Sequence, residues 1–310
     1  MIANIINGKE ISENICESLA VKDNEFYVAH NVFPCVALIN IGNDSASKIY
    51  VSNKVKLAEK VGIKSVLHEL PENVTFETVQ QVIRDLNSDV TVHGILLQLP
   101  IPAHLDANVL TNMIDENKDV DGLTLKNIGR LSSNQDALFP CTPTGIVHVL
   151  KMYLGNNLSG LHAVVIGRSN IVGKPVAQML LNENCTVTIL HSKSQNPKEV
   201  CRTADIVIAA IGKPKFITSE WIKPGATVID VGINRVFIDG KSKIVGDVDF
   251  ENVCNVAKNI TKVPGGIGPL TVTFLMYNTL KAANLQMNTA DRSANARPWC
   301  SGSASETGSH

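Results

Sequence analysis

The sequence lacks both an excess of charge of one sign and a long apolar segment. Its 310 residues carry 28 basic and 29 acidic side chains, for a formal net charge of -1 at pH 7. Balanced charge gives no indication of nucleic acid or an anionic membrane as a partner. No apolar stretch approaches the roughly 20 residues that span a bilayer, and MIANIINGKEIS lacks the pattern of a secretory signal. We therefore expect a cytoplasmic protein with a small-molecule partner.

Paired cysteines and clustered metal ligands are also lacking. The seven cysteines are scattered without a Cys-x-x-Cys pair, and the eight histidines show no metal-ligand spacing. The cysteines are Cys16, Cys35, Cys141, Cys185, Cys201, Cys254 and Cys300. An odd, scattered set is typical of reduced thiols rather than of a disulfide or zinc framework. We expect no disulfide and no bound metal.

The chain does contain two series of apolar strands and amphipathic helices. Its length and 44% hydrophobic content suffice for two domains with ample cores. The predicted strands of the first series are 35–42, 64–70 and 93–100, and those of the second are 161–167, 185–192, 204–212 and 226–233. Helical patterns lie between the strands. This alternation predicts an α/β fold with parallel sheets.

A proline-containing link, FPCTPTG at 139–145, separates the two series. Its Thr142 and Pro143 predict the N-cap and the first residue of a helix. We expect a first domain over 1–140, completed by a C-terminal helix at 270–286, and a second domain over 141–269. From 287 to 310 the sequence is polar, rich in Ser and Gly, and without periodicity, so a disordered tail is predicted.

The second domain lacks the G-x-G-x-x-G fingerprint, but a glycine loop joins its first strand to a helix. In VVIGRSNIVGKPVAQML, Gly167 ends the strand, Gly173 follows in the loop and Pro175 starts the helix. Amides at a helix N-terminus can hold a pyrophosphate in such a loop. An ordinary tight turn is the alternative for this motif taken alone.

An acidic residue is lacking at the end of the next strand. Folds that bind NAD usually place one about 20 residues beyond the glycine loop, to hold the ribose 2′-hydroxyl. The corresponding stretch, TILHSKSQ, contains no carboxylate. Arg168 and Ser169, with His191, Ser192 and Lys193, can instead supply positive charge and hydroxyl groups to a 2′-phosphate. The pattern predicts NADP rather than NAD; solvated loop residues without a ligand are the alternative.

A lysine falls on the apolar side of the helix predicted at 45–63. At about 100° per residue, the apolar positions from Tyr50 to Val61 share one arc, with Lys54 near its centre, whereas Lys56 and Lys60 face water. Tyr50 and Lys54 are one helical turn apart and share this inward face. A partly desolvated lysine can take part in proton transfer. A lysine snorkelling from the edge of the core is the alternative.

Two further polar residues lie where a parallel sheet exposes them to a cleft. Gln98 ends the apolar stretch HGILLQLP, and the carboxyl ends of strands are where open α/β sheets bind ligands. Asp121 lies in KDVDGL, just before the link between the domains. A surface amide and a turn-forming Asp-Gly pair are the alternatives for these two residues.

Nine motifs occur in an order that is typical of one family. They are SKIYVSNKVKLAEKVGIKS, VHGILLQLPIP, NKDVDGLTLKNIGRL, PCTPTG, VVIGRSNIVGKPVAQML, HSKS, VIDVGIN, VGDVDF and VPGGIGPLT. In these motifs the chain resembles the bifunctional methylenetetrahydrofolate dehydrogenase/methenyltetrahydrofolate cyclohydrolase family, FolD type. The resemblance implies two α/β domains, an N-terminal folate-binding catalytic domain and a Rossmann-like NADP-binding domain, with folate in the cleft between them. It also implies a homodimer that acts on tetrahydrofolate derivatives.

The resemblance also implies roles for individual residues. Lys54 would be the catalytic lysine, Gln98 its hydrogen-bonding partner, Tyr50 the residue that stacks on folate, and Asp121 the residue that holds the pterin ring. The folate-side loop would be VPGGIGP, with Gly265, Gly266 and Pro269 as contacts. With Gly173 of the glycine loop, the implied cofactor contacts are Gly167, Arg168, Ser169, Ser192 and Ile233.

The implied chemistry has two steps. A hydride passes from 5,10-methylenetetrahydrofolate to NADP+, and water then opens the methenyl product to 10-formyltetrahydrofolate, where we expect Lys54 to move a proton. The alternatives are a monofunctional dehydrogenase, a non-catalytic NADP- or folate-binding module, and an oxidoreductase similar to shikimate dehydrogenase. The presence of Tyr50, Lys54 and Gln98 argues against the first two, and the ordered motifs argue against the third.

Overall fold

The computed structural model describes residues 2–238 and 241–295, and within them the predicted α/β fold is confirmed. The strands are β1 (Asn4–Ile6), β2 (Cys35–Ile41), β3 (Lys64–Leu70), β4 (Gly94–Leu97), β5 (His162–Ile166), β6 (Thr186–Leu190), β7 (Ile206–Ala209), β8 (Thr227–Asp230), β9 (Asn234–Ile238), β10 (Lys241–Val245) and β11 (Asn259–Thr261). The α-helices are α1 (Gly8–His30), α2 (Ser45–Val61), α3 (Phe76–Ser88), α4 (Ala107–Asn112), α5 (Leu125–Ser132), α6 (Cys141–Leu154), α7 (Gly173–Asn182), α8 (Pro197–Cys201), α9 (Phe250–Val253) and α10 (Ile267–Asn295). The apolar segments predicted as strands correspond to β2 through β8.

The described residues form two parallel sheets and a separate antiparallel pair of β9 and β10; the smaller parallel sheet has three strands in the order β3-β2-β4. Every residue of the central strand β2 is buried, as expected when both faces of a parallel sheet are covered. Val79 and Ile83 of α3 pack with Ile39 on one face, while Val51 and Ala58 of α2 belong to the core on the other. This packing holds α2 beside the carboxyl ends of β2 and β4.

The larger sheet has six parallel strands in the order β1-β11-β8-β7-β5-β6. β5 pairs with β6 on one side and with β7 on the other, so the order of strands reverses at β5. Beyond the carboxyl ends of the strands, such a reversal opens the crevice in which doubly wound sheets bind ligands.

The N-terminal strand β1 belongs to this larger sheet, where it pairs with β11. We predicted that residues 1–140 form the first domain. Residues 4–6 belong instead to the sheet of the second domain, so the predicted boundary is wrong for them. The reason is that a three-residue strand carries little periodicity, and its partner lies near the other end of the chain. The pairing joins the two domains through the start of the chain.

The helix α6 begins two residues earlier than predicted. Pro140 is its N-cap and Cys141 its first residue, so the expected N-cap at Thr142 is wrong. The Thr142 hydroxyl instead lies 2.8 Å from the hydroxyl of Thr271 on α10, while Thr144 Oγ1 donates to the Pro140 carbonyl. A tertiary contact with α10 therefore takes the side chain that sequence alone assigned to capping.

The C-terminal helix α10 returns to the first domain and is longer than predicted. Its Thr273 hydroxyl lies 2.7 Å from that of Ser12 on α1, and Gln286 Nε2 donates to the His93 carbonyl at 2.8 Å. The backbone stays helical to Asn295, because 287–295 contain neither Gly nor Pro, so the predicted start of the tail at 287 is wrong; 296–310 lie outside the described residues. None of the described helices is long and apolar enough to cross a lipid bilayer.

Candidate active site

Lys54 and Gln98 form a hydrogen-bonded pair at the carboxyl edge of the smaller sheet. Gln98 follows β4, and its backbone N–H donates to the Ile39 carbonyl at 2.9 Å. Its side-chain Nε2 donates to the Leu99 carbonyl at 2.6 Å, which leaves Oε1 to accept a hydrogen bond from Lys54 Nζ at 2.7 Å. The structure thus brings together two residues that the sequence singled out 44 positions apart.

Asp121 shares the environment of this lysine. Burial lowers the pKa of Lys54, while the nearby charge of Asp121 opposes that shift. Burial likewise raises the pKa of Asp121, against the effect of Lys54 and with a smaller contribution from Asp119 in the same direction. Both groups are therefore moved toward their neutral forms, as is typical of residues that exchange protons in a cleft.

Cys141 completes this cluster and was missed by sequence reasoning, which assigned PCTPTG to a link between domains. Its buried thiol donates to the Val120 carbonyl at 3.2 Å, and Asn278 Nδ2 on α10 donates to the same carbonyl at 2.9 Å. Burial and the adjacent Asp121 raise the pKa of this thiol well above its usual value. Cys141 is therefore a neutral thiol next to Asp121. The signal in the sequence that could have identified it was its position at the junction of the domains.

Tyr50 lies one turn before Lys54 on α2, but it does not face the core. Its side chain is 39% exposed, so the prediction of an inward-facing residue is wrong for Tyr50. In the described structure no hydrogen bond joins Tyr50 to Lys54 or Gln98. Tyr50 lies in the first half of α2, between the buried positions Ser47 and Val51. An exposed ring here is available to stack on a flat ligand.

The loop that contains Gly265, Gly266 and Pro269 runs into the start of α10. A Cβ at Gly8, the first residue of α1, would collide with the Gly266 carbonyl, so the loop packs against the start of that helix. Gly265 has a φ of 103°, which only glycine adopts readily. The contact of Thr142 with Thr271, described above, places the start of α10 beside Cys141, the first residue of α6. The loop is thus held near the cluster that contains Asp121.

The glycine loop between β5 and α7 is shaped by close backbone approaches. A Cβ at Gly167 would collide with the Ala210 carbonyl beyond β7, and one at Gly173 would collide with the Gly167 carbonyl. Ser169 Oγ accepts hydrogen bonds at 3.2 Å from the N–H groups of Val172 and Gly173. The amides of Val172 and Gly173 at the start of α7 therefore donate to Ser169. They are not free to bind a pyrophosphate in the way the sequence predicted.

The residues predicted to bind a 2′-phosphate lie along one edge of the larger sheet. Arg168 and Ser192 are both exposed, and each lies two positions beyond a strand whose last residues, Ile166 and Leu190, are paired. The His191 N–H donates to Ser194 Oγ at 2.9 Å, which orders the turn that presents Ser192. Positive charge and a hydroxyl group therefore stand at neighbouring strand ends, an arrangement that fits a phosphate group.

Ile233 connects this edge to the folate-side loop. Its side chain is 50% exposed, three residues beyond β8. A Cβ at Gly268 would lie 4.0 Å from Ile233 Cδ1. A residue predicted to contact the cofactor therefore borders the loop predicted to contact folate.

Two buried carboxylates lie at the carboxyl ends of the strands of the larger sheet, and sequence reasoning did not single them out as site residues. They are Asp230 and Asp247. Burial is the largest cause of an increase in the pKa of Asp230 to about 6. The motif VGDVDF was the available signal, but a sequence does not show which amides a carboxylate binds. Among the described residues, no group of three or more His, Cys, Asp or Glu side chains could hold a metal ion.

Both domains match models of one protein family. Residues 6–121 match the catalytic domain of tetrahydrofolate dehydrogenase/cyclohydrolase, and residues 140–287 match its NAD(P)-binding domain. The chain belongs to the tetrahydrofolate dehydrogenase/cyclohydrolase family. The Bifunctional protein FolD of Wolbachia pipientis from Culex pipiens is 51% identical over 283 residues, which are 91% of this chain and 96% of that protein.

Solved structures of tetrahydrofolate dehydrogenase/cyclohydrolases have the same architecture. The bifunctional FolD enzyme of Campylobacter jejuni is 42% identical with a TM-score of 0.88, and the match covers 92% of this chain and 99% of that one. FolD of Trypanosoma brucei, solved with NADP and an inhibitor, is 35% identical with a TM-score of 0.88 and coverage of 96% and 100%. The predicted two-domain folate enzyme with a nicotinamide cofactor is confirmed.

Proposed function

We propose that this tetrahydrofolate dehydrogenase/cyclohydrolase oxidises 5,10-methylenetetrahydrofolate with NADP+ and hydrolyses the methenyl product to 10-formyltetrahydrofolate in one cleft. The observation that carries the proposal is the hydrogen bond from Lys54 to Gln98 beside Asp121. A partly buried lysine held in this way is suited to proton transfer in the hydrolytic step, which a monofunctional dehydrogenase or a non-catalytic binding module does not carry out.

For the dehydrogenase step, the protein has to align its two substrates. When bound, NADP+ accepts a hydride from the methylene carbon of the folate. Ile233 adjoins Gly268 at the start of α10, so Ile233 would hold the nicotinamide next to a folate bound against residues 263–269. Holding the two in this way replaces an encounter in solution by a step within one complex.

The choice of NADP over NAD is assigned to the exposed groups beyond β5 and β6. The Arg168 guanidinium supplies a charge for the 2′-phosphate, and the hydroxyl of Ser192 adds a hydrogen bond. The stretch from Thr188 to Gln195 has no carboxylate that would repel this phosphate or hold the 2′-hydroxyl of NAD. The NADP complex of the relative from Trypanosoma brucei agrees with this choice.

For the cyclohydrolase step, Lys54 moves a proton while water adds to the methenyl carbon. Burial of Lys54 lowers its pKa, so the amine gives up its proton more easily than an exposed lysine and can act as an acid or a base. Gln98 fixes its position, since its own amide group is oriented by the Leu99 carbonyl. Tyr50 stacks on the folate, and Asp121 accepts hydrogen bonds from the pterin ring.

The experiment is to incubate the purified protein with 5,10-methylenetetrahydrofolate and either NADP+ or NAD+, and to follow both products. We expect reduced cofactor and 10-formyltetrahydrofolate, with faster turnover on NADP+. Absence of turnover with either cofactor would overturn the enzyme assignment. Accumulation of the methenyl compound without the formyl product would reduce the protein to a monofunctional dehydrogenase.

We also propose that the protein is a cytoplasmic homodimer. The supporting feature for the dimer is β6, an edge of the larger sheet on which Ile189 is exposed together with Leu181 of the preceding helix. An apolar edge strand with free backbone groups is a ready site for pairing with a second copy. The location is supported by the six cysteines of the described residues, which are all free thiols.

A further inference from the structure

Asp247 binds the loop that follows β7 through three successive backbone amides. Its Oδ2 accepts from the N–H groups of Ile211 and Gly212 at 2.7 and 2.9 Å, and its Oδ1 accepts from that of Lys213 at 2.9 Å. A carboxylate is the side chain suited to this arrangement, because it accepts several hydrogen bonds and donates none. The position of the loop is therefore set by one buried group.

Asp230 fixes Asp247 in turn. Its Oδ1 accepts from the N–H groups of Gly232 and Asp247, and its Oδ2 from that of Val248, each at 2.9 Å. A Cβ at Gly232 would collide with the Asp247 carboxylate, and one at Gly246 would collide with Asp230. Neither carboxylate has room to turn, so the pair forms a rigid support beneath the carboxyl ends of β7 and β8.

The same pair holds the chain on both sides of Ile233. Before it, the Gly232 N–H is bound by Asp230, and after it Asn234 Nδ2 donates to Asp247 Oδ1 at 2.8 Å. Ile233 is the residue that borders Gly268 at the start of α10. Its placement between the two halves of the cleft thus depends on hydrogen bonds to these carboxylates.

The loop beyond β7 also faces the glycine loop at the point where the order of strands reverses. The carbonyl of Ala210, one residue before the amides bound by Asp247, fills the space beside Gly167. Fixing the loop beyond β7 therefore fixes one wall of the crevice that receives the cofactor. We propose that Asp247, supported by Asp230, is a positioning residue for hydride transfer that aligns Ile233 and this wall with the nicotinamide half of the cofactor.

The proposal rests on the proposed function, and the two activities of the enzyme separate it from a merely structural role. Hydrolysis of the methenyl compound takes place at Lys54 and involves no hydride transfer. For Asp247→Asn we expect kcat/KM of the dehydrogenase for NADP+ to fall about 10- to 100-fold, the cost of replacing a charged acceptor. Cyclohydrolase activity on added 5,10-methenyltetrahydrofolate is expected to stay within about twofold of wild type.

A parallel loss of both activities would overturn the proposal, since it would indicate general damage to the fold. An unchanged dehydrogenase would overturn it as well. Absence of dehydrogenase activity in the wild-type enzyme would refute the proposed function instead, so the two failures are distinguishable.

A milder variant covers the case in which Asp247→Asn does not fold. Asn234→Ala removes one hydrogen bond to Asp247 Oδ1 at the edge of the domain, and Asn255→Ala, an exposed residue that donates to the Glu251 carbonyl, is its matched control. We expect Asn234→Ala to lower kcat/KM for NADP+ about tenfold, with cyclohydrolase activity unchanged and Asn255→Ala equal to wild type. Equal dehydrogenase activity in the two variants would contradict the positioning role.

Discussion

The orientation of a single amide decides what Lys54 can do. Gln98 donates to the Leu99 carbonyl through Nε2, so only its Oε1 faces the lysine. If the amide were reversed, Nε2 would confront the amine, donor against donor. The lysine is thereby held at a defined point of the cleft, whereas a snorkelling lysine would have no fixed partner.

We expect Asp121 to contribute to the affinity for folate. Asp121→Asn keeps the shape of the side chain and replaces one acceptor oxygen by an NH2 donor, so a ligand N–H bound at that oxygen loses its acceptor. We expect the dissociation constant for a folate substrate to rise about 10- to 100-fold, measured by fluorescence titration. Asp85→Asn, an exposed carboxylate on α3 bound by Gln81, is the control and should leave affinity unchanged. An unaltered affinity in Asp121→Asn would remove this residue from the pterin site.

At Arg168, the prediction concerns the choice of cofactor. Arg168→Ala removes the positive charge assigned to the 2′-phosphate, so we expect KM for NADP+ to rise at least about tenfold and KM for NAD+ to change little. Arg202→Ala, an exposed arginine just after α8, tests whether any lost charge on this domain has the same effect. Losses of equal size for NADP+ and NAD+ would show that Arg168 does not recognise the phosphate.

Between helices, the contact of α1 with α2 carries a buried carboxylate that opposes folding at neutral pH. Asp23 on α1 is 4% exposed, and its Oδ1 has no hydrogen-bond partner among the described residues. A Cβ at Gly62, which ends α2, would collide with the Asp23 carboxylate. Burial raises the pKa of Asp23 from 3.8 to about 6. The folded state therefore favours the protonated acid.

The predicted consequence is a dependence of stability on pH that Asp23→Asn abolishes. A raised pKa contributes stability that is present below about pH 4 and is lost as pH rises through 6. We expect the variant to be more stable than wild type by about 3 kcal/mol at pH 8, with the difference vanishing near pH 4. Urea unfolding of both proteins at these two pH values measures it. A difference that does not vary with pH would exclude Asp23 as its source.

The bounds of helices and strands were predicted best where a segment packs along its whole length. The fully buried strand β2 and the helix α2, with its Asp44 N-cap and Gly62 C-cap, lie close to their predicted bounds. The start of α6 was predicted less well, because it depends on a contact with the distant helix α10. The length of α10 was underestimated, because its last residues lack periodicity but contain no helix breaker. Periodicity reports burial of a face, and it does not report which partner covers it.

For the whole molecule, the cleft could be predicted in part. Lys54 and Gln98 were recognisable because each is a polar residue at an apolar position or a strand end, and Asp121 because it lies just before the link between the domains. Cys141 and the pair Asp230 and Asp247 were not, since their importance lies in hydrogen bonds to backbone groups that are far away in the sequence. A carboxylate in a motif looks the same whether it binds water or three amides.

The proposed homodimer predicts that a substitution on β6 halves the molecular mass of the particle in solution. Ile189→Lys places a charge on the exposed side of the edge strand β6, which disfavours pairing with a second copy. We expect light scattering after size exclusion to give a dimer for wild type and a monomer for this variant. Val66→Lys, an equally exposed position on the edge strand β3 of the smaller sheet, should remain dimeric. A wild-type monomer would contradict the homodimer, and a dimeric Ile189→Lys would place its interface elsewhere.

We expect hydrolysis of the methenyl compound to depend on the lysine that Gln98 holds. The most direct measurement is the cyclohydrolase rate of Lys54→Met on 5,10-methenyltetrahydrofolate, beside Lys56→Met, which alters an exposed lysine of the same helix. We predict a loss of at least about 100-fold for Lys54→Met, the usual size of a proton-transfer contribution, and a rate equal to wild type for Lys56→Met. A folded Lys54→Met enzyme that hydrolyses the methenyl compound at the wild-type rate would contradict the account.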